Sequence, residues 1–112
     1  MQRWILDAAK NGYLKQVEAC SHLGVDVNVR DLNGRNALMY ATLGGHTKVA
    51  ELLITIGADV NAVSCLSGET ALWHAFNNNQ GNIMKLLLKN GAYVDVETSK
   101  SMAIKFVEDA SY

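Results

Sequence analysis

The stretch Gly34 to Asn61, GRNALMYATLGGHTKVAELLITIGADVN, returns 34 positions later as Gly68 to Asp95, GETALWHAFNNNQGNIMKLLLKNGAYVD. Gly, Ala-Leu, Ala, Leu-Leu, Gly-Ala and Val each fall on themselves. Recurrence at a fixed period of this size marks stacked supersecondary units, each burying its apolar face on a neighbour, rather than one closed fold. At an offset of 33 the start of the chain follows the same plan, with Ala8, Gly12, Gly24, Asp26, Val27 and Asn28 on Ala41, Gly45, Gly57, Asp59, Val60 and Asn61. The 112 residues therefore read as a single domain: a partial unit over 1–30 that lacks a leading turn, full units over 31–63 and 64–96, and a degenerate closing unit over 97–112.

Within a full unit the punctuation is local. Asp31 to Gly34 is a turn, because Asp and Asn bond their own backbone and Gly supplies a positive φ. Asn36, or Thr70 one unit later, is placed to cap a short helix over Ala37 to Gly44, and Gly45 ends it. A second helix starts near Thr47, whose hydroxyl is positioned to cap, and carries Val49, Leu52, Leu53 and Ile56 at i, i+3, i+4 and i+7. Gly57 ends that helix, and 58–61 runs extended into the next turn. The segment from Gly57 to Gly68 is one residue longer than the usual unit, and Val63 to Ser67 at a loop tip is where an insertion costs least. Ser99 to Ala110 keeps Ala103, Phe106, Val107 and Ala110 at helical spacing, the pattern of a closing helix.

With turn, short helix, Gly, second helix with Leu-Leu and Gly-Ala-Asp-Val-Asn recurring in register, the chain resembles the ankyrin repeat over nearly its whole length. The resemblance implies an all-α repeat fold: an ankyrin-type α-solenoid of helix-turn-helix units, with β-hairpin fingers that line a concave surface together with the first helices. This chain departs from the family's Thr-Pro-Leu-His, having Asn36-Ala37-Leu38-Met39 and Thr70-Ala71-Leu72-Trp73, and it contains no proline. Packing by Met39 and Trp73 is expected to replace the lost histidine bond. Asn79-Gln80 stands where Gly-His is usual, so Asn79 is expected in the left-handed region at a cost of about 1 kcal/mol.

Catalysis finds little to work with. His22, His46 and His74 fall at different phases of the repeat, so no pair has ligand spacing and no metal site is expected. Cys20 replaces a core Leu, Cys65 has no neighbouring Lys, Arg or His to lower its pKa, and no glycine-rich loop cradles a phosphate. The sequence thus implies no enzyme, no cofactor and no catalytic residue. A formal net charge of -1 gives no field for nucleic acid, and the longest mostly apolar stretch, Val49 to Ala58, is too short for a membrane. Two separated cysteines and the absence of a signal sequence point to a cytoplasmic or nuclear setting, and the chain is separately expected to be a monomer.

What the resemblance implies instead is contact with a protein partner through finger turns and first-helix ends. Those positions are Arg30, Leu32, Asn33, Arg35, Leu43 and Gly44 in one unit and Leu66, Ser67, Glu69, Asn77 and Asn78 in the next, with Tyr40 and His74 as polar handles at the groove edge. Trp73 and Phe76 are expected in the core. Asn61, with Leu53 eight residues before it, resembles asparagines of this family that an asparaginyl hydroxylase modifies; the competing reading is that Asn61 bonds hairpin backbone. Two functional readings stand side by side: an adaptor or competitive inhibitor that presents its concave surface, and a structural or self-associating element or edge of a longer array.

Overall fold

The computed structural model describes residues 2–64 and 68–94, which form six α-helices: α1 (Gln2–Asn11), α2 (Leu14–His22), α3 (Ala37–Leu43), α4 (Thr47–Thr55), α5 (Ala71–Asn77) and α6 (Gly81–Lys89). Each odd-numbered helix packs on the even-numbered one that follows it. The pairs then stack, α1 on α3 on α5 in one row and α2 on α4 on α6 in the other. Principal extents of 47 × 26 × 21 Å fit a stack better than a ball.

The same stop closes helix after helix. Gly12, Gly45 and Asn79 occupy one position in successive units, with φ of 73°, 72° and 58°. Beyond them the amides of Tyr13, His46 and Gln80 reach back to the carbonyls of Ala8, Ala41 and Ala75, each at 2.9 Å. This is the Schellman arrangement, in which a left-handed residue lets the next amide satisfy a carbonyl the helix leaves open. Asn79 is the one non-glycine at positive φ among the described residues, as its place in the repeat leads one to expect. Caps at the other end are also as read: the side chains of Asn36 and Thr70 accept from the amides of Met39 and Trp73 at 2.9 and 3.1 Å. Thr47 is not a cap. It is the first residue of α4, and His46 precedes it without a side-chain bond to the helix.

Core residues sit where the rows meet. Ala8, Ala41 and Ala75 are buried at equivalent points of α1, α3 and α5, where a small side chain lets helices approach closely. Val17, Cys20, Val49, Leu53, Ile83 and Leu87 fill the other row. Leu52, Ile56 and Leu86 lie half-buried against this core, completing the stripe. The expected finger is a tight turn, with the Gly34 amide on the Asp31 carbonyl at 2.9 Å and the Asp31 amide on Arg35 at 3.1 Å. Among the described residues it carries no strand ladder. The expected closing helix, the inserted tip residues Cys65, Leu66 and Ser67, and the boundary of the last unit lie outside the described residues.

Candidate interaction surface

The fingers and α1, α3 and α5 share one face, and a carboxylate organises its first finger. Asp31 Oδ1 accepts from the amides of Asn33 and Arg35 at 2.9 and 3.0 Å, and Oδ2 accepts from the Tyr40 hydroxyl. Burial works against its charge. The bonds from Tyr40, Arg35 and Asn33, with the Arg35 charge, outweigh burial and hold the carboxyl below the usual Asp range. Tyr40 moves the opposite way: burial, then its bond to Asp31 and the Asp31 charge, push the phenol up. The first finger is therefore fastened to α3 by an ionised Asp and a neutral Tyr.

One unit on, the equivalent group is inside. His74 is 3% exposed, so it is not at the groove edge as its match to Tyr40 suggests. Trp73 takes the outer place, 38% exposed instead of buried in the core. Adjacent helix positions point in different directions, and the smaller ring takes the interior. The two rings meet edge to face with centroids 5.4 Å apart. His74 Nε2 lies 3.3 Å from Glu69 Oε2 without a hydrogen bond between them. Burial lowers the His74 pKa; Glu69 opposes this and Arg35 adds to it. Met39, by contrast, is buried and packs where the family has its histidine, and Phe76 packs half-buried against the core.

The other sequence-derived positions divide by exposure. Arg30, Leu32, Asn33, Gly44, Asn77 and Asn78 are exposed, and Leu32 stands wholly in solvent at the finger tip. Arg35, Leu43 and Glu69 are half-buried. Arg30 also ties one finger to the next, its guanidinium donating to the Val63 carbonyl at 2.9 Å. Leu66 and Ser67 lie outside the described residues. Asn61 bonds the neighbouring unit: its amide donates to the Gly91 carbonyl at 3.1 Å and accepts from the Tyr93 amide at 2.6 Å. Both ends of that side chain are occupied, as a structural role requires.

Two cations absent from the sequence reading join this face. A hollow of ≈ 540 Å³ between α1 and the first finger is lined by Arg3, Leu6, Val29, Arg30, Leu32 and Tyr40, among others. A smaller one of ≈ 80 Å³, lined by several of the same residues, adds Asp7 and Lys10. The signal was available, since Lys10 and Asp7 match Leu43 and Tyr40 at the offset of 33. Treating the first unit as partial hid it. Among the described residues no group of three or more His, Cys, Asp or Glu is placed to hold a metal ion. No helix among them is long and apolar enough to cross a membrane.

Stacked helix pairs, glycine-type stops at one repeated position and a finger between pairs define a helical repeat solenoid. A family profile described as ankyrin repeats, in three copies, matches residues 5–98, and the chain belongs to that family. It is 37% identical over 93 residues to a B-cell lymphoma 3 protein homolog of Mus musculus, covering 83% of this chain and 18% of that protein. To a probable E3 ubiquitin-protein ligase, XBOS33, of Oryza sativa it is 38% identical over 81 residues, covering 72% of this chain and 16% of that protein. To an L-asparaginase of Dirofilaria immitis it is 31% identical over 105 residues, covering 94% of this chain and 18% of that protein. Among solved structures, the human ASB11 ankyrin repeat domain superposes with a TM-score of 0.77 at 33% identity, over 82% of this chain and 41% of that one. The chain spans less than a fifth of each of these curated relatives. What they share with it is the repeat, and repeats of this family are in general protein-interaction modules.

Proposed function

We propose that the chain is a non-catalytic protein-interaction module, an adaptor or competitive inhibitor, whose partner lies along the fingers and the inner helices. The observation that carries this reading is Leu32: an apolar side chain fully in solvent, on a turn that Asp31 fastens from three directions. A lone exposed leucine is ordinary, but Leu32 lines one hollow with Leu6 and Val29, and apolar residues gathered at one accessible site mark an interaction surface. Arg30, Asn33, Arg35, Leu43, Glu69, Asn77 and Asn78 belong to the same surface, with Trp73 added and His74 acting from beneath. The activities in the names of the relatives are not part of the reading, which rests on the repeat alone. A cytoplasmic or nuclear setting is consistent with Cys20 being a free, buried thiol.

The test compares proteins captured from the native source by the wild-type chain and by Leu32→Ser combined with Asn77→Arg, two exposed positions whose replacement is expected to leave the melting temperature unchanged. Loss of the captured partner is expected; an identical set of captured proteins sinks the surface. A second reading, self-association or the edge of a longer array, is favoured by the end of the stack. There a hollow of ≈ 460 Å³ is lined by Trp4, Gln16, Cys20 and Leu23, which match Ala37, Val49, Leu53 and Ile56 in register. Light scattering separates the two, a concentration-dependent dimer or filament supporting the second.

A further inference from the structure

We infer that the hollow between α1 and the first finger receives an extended, acidic segment of a partner protein, with a carboxylate side chain between Arg3 and Arg30 and an apolar neighbour on Leu32. The inference rests on the interaction reading above and names the chemistry of the partner at one end of that surface. Its first support is an imbalance of charge. The two adjoining hollows hold three cations, Arg3, Lys10 and Arg30, and two carboxylates, Asp7 and Asp31.

Asp31 is already occupied. Its two oxygens take the Asn33 and Arg35 amides and the Tyr40 hydroxyl, which leaves its charge in place but fills three of its roughly four acceptor sites, so it has little capacity left to bond Arg3 or Arg30. Arg30 directs one guanidinium nitrogen to Val63 and keeps further donors. The side chains of Arg3 and Lys10 have no ion pair among the described residues, and neither does Asp7. Three cations therefore face two carboxylates, one of them largely committed to the finger, and the complement of that surface is an anion. A guanidinium fork suits a planar carboxylate, which it can bind through two parallel bonds.

The second support decides what kind of anion. Leu6 and Val29 line the same hollow, and Leu32 stands beside it fully exposed. A free anion would use the arginines and leave Leu32 in water, whereas a peptide with an acidic residue beside an apolar one uses both. A nucleic acid strand calls for a continuous basic stripe with stacking rings. Along this face the cations give way to Glu69, Asn77 and Asn78, so a protein segment is the better fit.

Selection of a random linear-peptide phage library on the full chain tests this. Enriched peptides are expected to pair Asp or Glu with a neighbouring Leu, Ile or Phe, and to bind more weakly as salt rises. A synthetic copy of the strongest binder, followed by fluorescence anisotropy, should lose roughly 10-fold or more in affinity to Arg3→Glu/Arg30→Glu. It should also weaken with Leu32→Ser, which leaves the charges alone. Thermal melts of each variant establish that the stack is intact. Peptides that bind but respond only to Trp73→Ala or Glu69→Lys would overturn this inference while leaving the interaction reading standing. No enrichment would count against both, and competition by a single-stranded oligonucleotide or by inorganic phosphate alone would assign the cations to another ligand.

Discussion

His74 is the residue whose environment departs furthest from what its place in the repeat suggests, and the departure has a measurable consequence. Burial lowers its pKa from the ordinary 6.5, so between that value and its lower folded value the unfolded chain binds a proton that the folded chain does not. Stability from this group is complete above 6.5 and is lost as pH falls below it. A single group can contribute at most about 1.4 kcal/mol per pH unit. Urea titrations of the wild type and His74→Gln across this range should show the wild type losing stability faster on acidification. Parallel curves would mean that the imidazole protonates without cost. Asp31 acts lower on the scale, its contribution disappearing as pH falls through and below 3.8.

At the scale of the helix ends, Gly44 and His46 work as a pair. The His46 ring enters a slot between Gly12 and Gly44, where an added Cβ would lie 2.5 Å from Nδ1 and from Nε2 respectively, and Nε2 bonds the Lys10 carbonyl at 3.1 Å. Gly44 has an ordinary helical φ of -86°, so what forbids a side chain there is the ring, with Lys10 behind it, and not the backbone. In the next unit Gln80 replaces the ring and Asn78 replaces the glycine, which fits that dependence. Gly44→Ala is therefore expected to destabilise by about 1–3 kcal/mol, the range for overpacking. Much of the loss should vanish in the background of His46→Ala. Additive losses in the double-mutant cycle would show that the two positions do not meet.

These helix ends also mark how far the sequence could be read. Stops at Gly45 and Asn79 and caps at Asn36 and Thr70 were legible because each is set within a few residues of chain. The places of His74 and Trp73 were not. Helical phase assigns neighbouring positions to a region of the stack, and which ring goes inside depends on volumes supplied by other units. Lys10 was legible from its register with Leu43, whereas Arg3 was not, because it joins the candidate surface only through a finger that begins beyond Val29 in the chain.

Across the whole stack the units are joined by one device used twice. The Asn28 amide donates to the Gly57 carbonyl at 3.2 Å and accepts from the Asp59 amide at 2.7 Å, and Asn61 makes the same pair of bonds to Gly91 and Tyr93. Each asparagine is itself preset, its own amide held by Asp26 or Asp59 at 2.9 Å. In a solenoid, stability is the sum of unit terms and nearest-neighbour terms, so loss of a clamp lowers the coupling between units more than it harms either unit. Asn28→Ala and Asn61→Ala are thus expected to broaden the urea transition and lower its apparent m-value, as units begin to unfold separately. Thr55→Ala is the control, since its hydroxyl bonds only Glu51 one turn back in the same helix. It should shift the midpoint slightly at constant m. Should all three variants move the midpoint alone, the coupling resides in the packed rows of helices, and the asparagines serve only to order the extended segments they bridge.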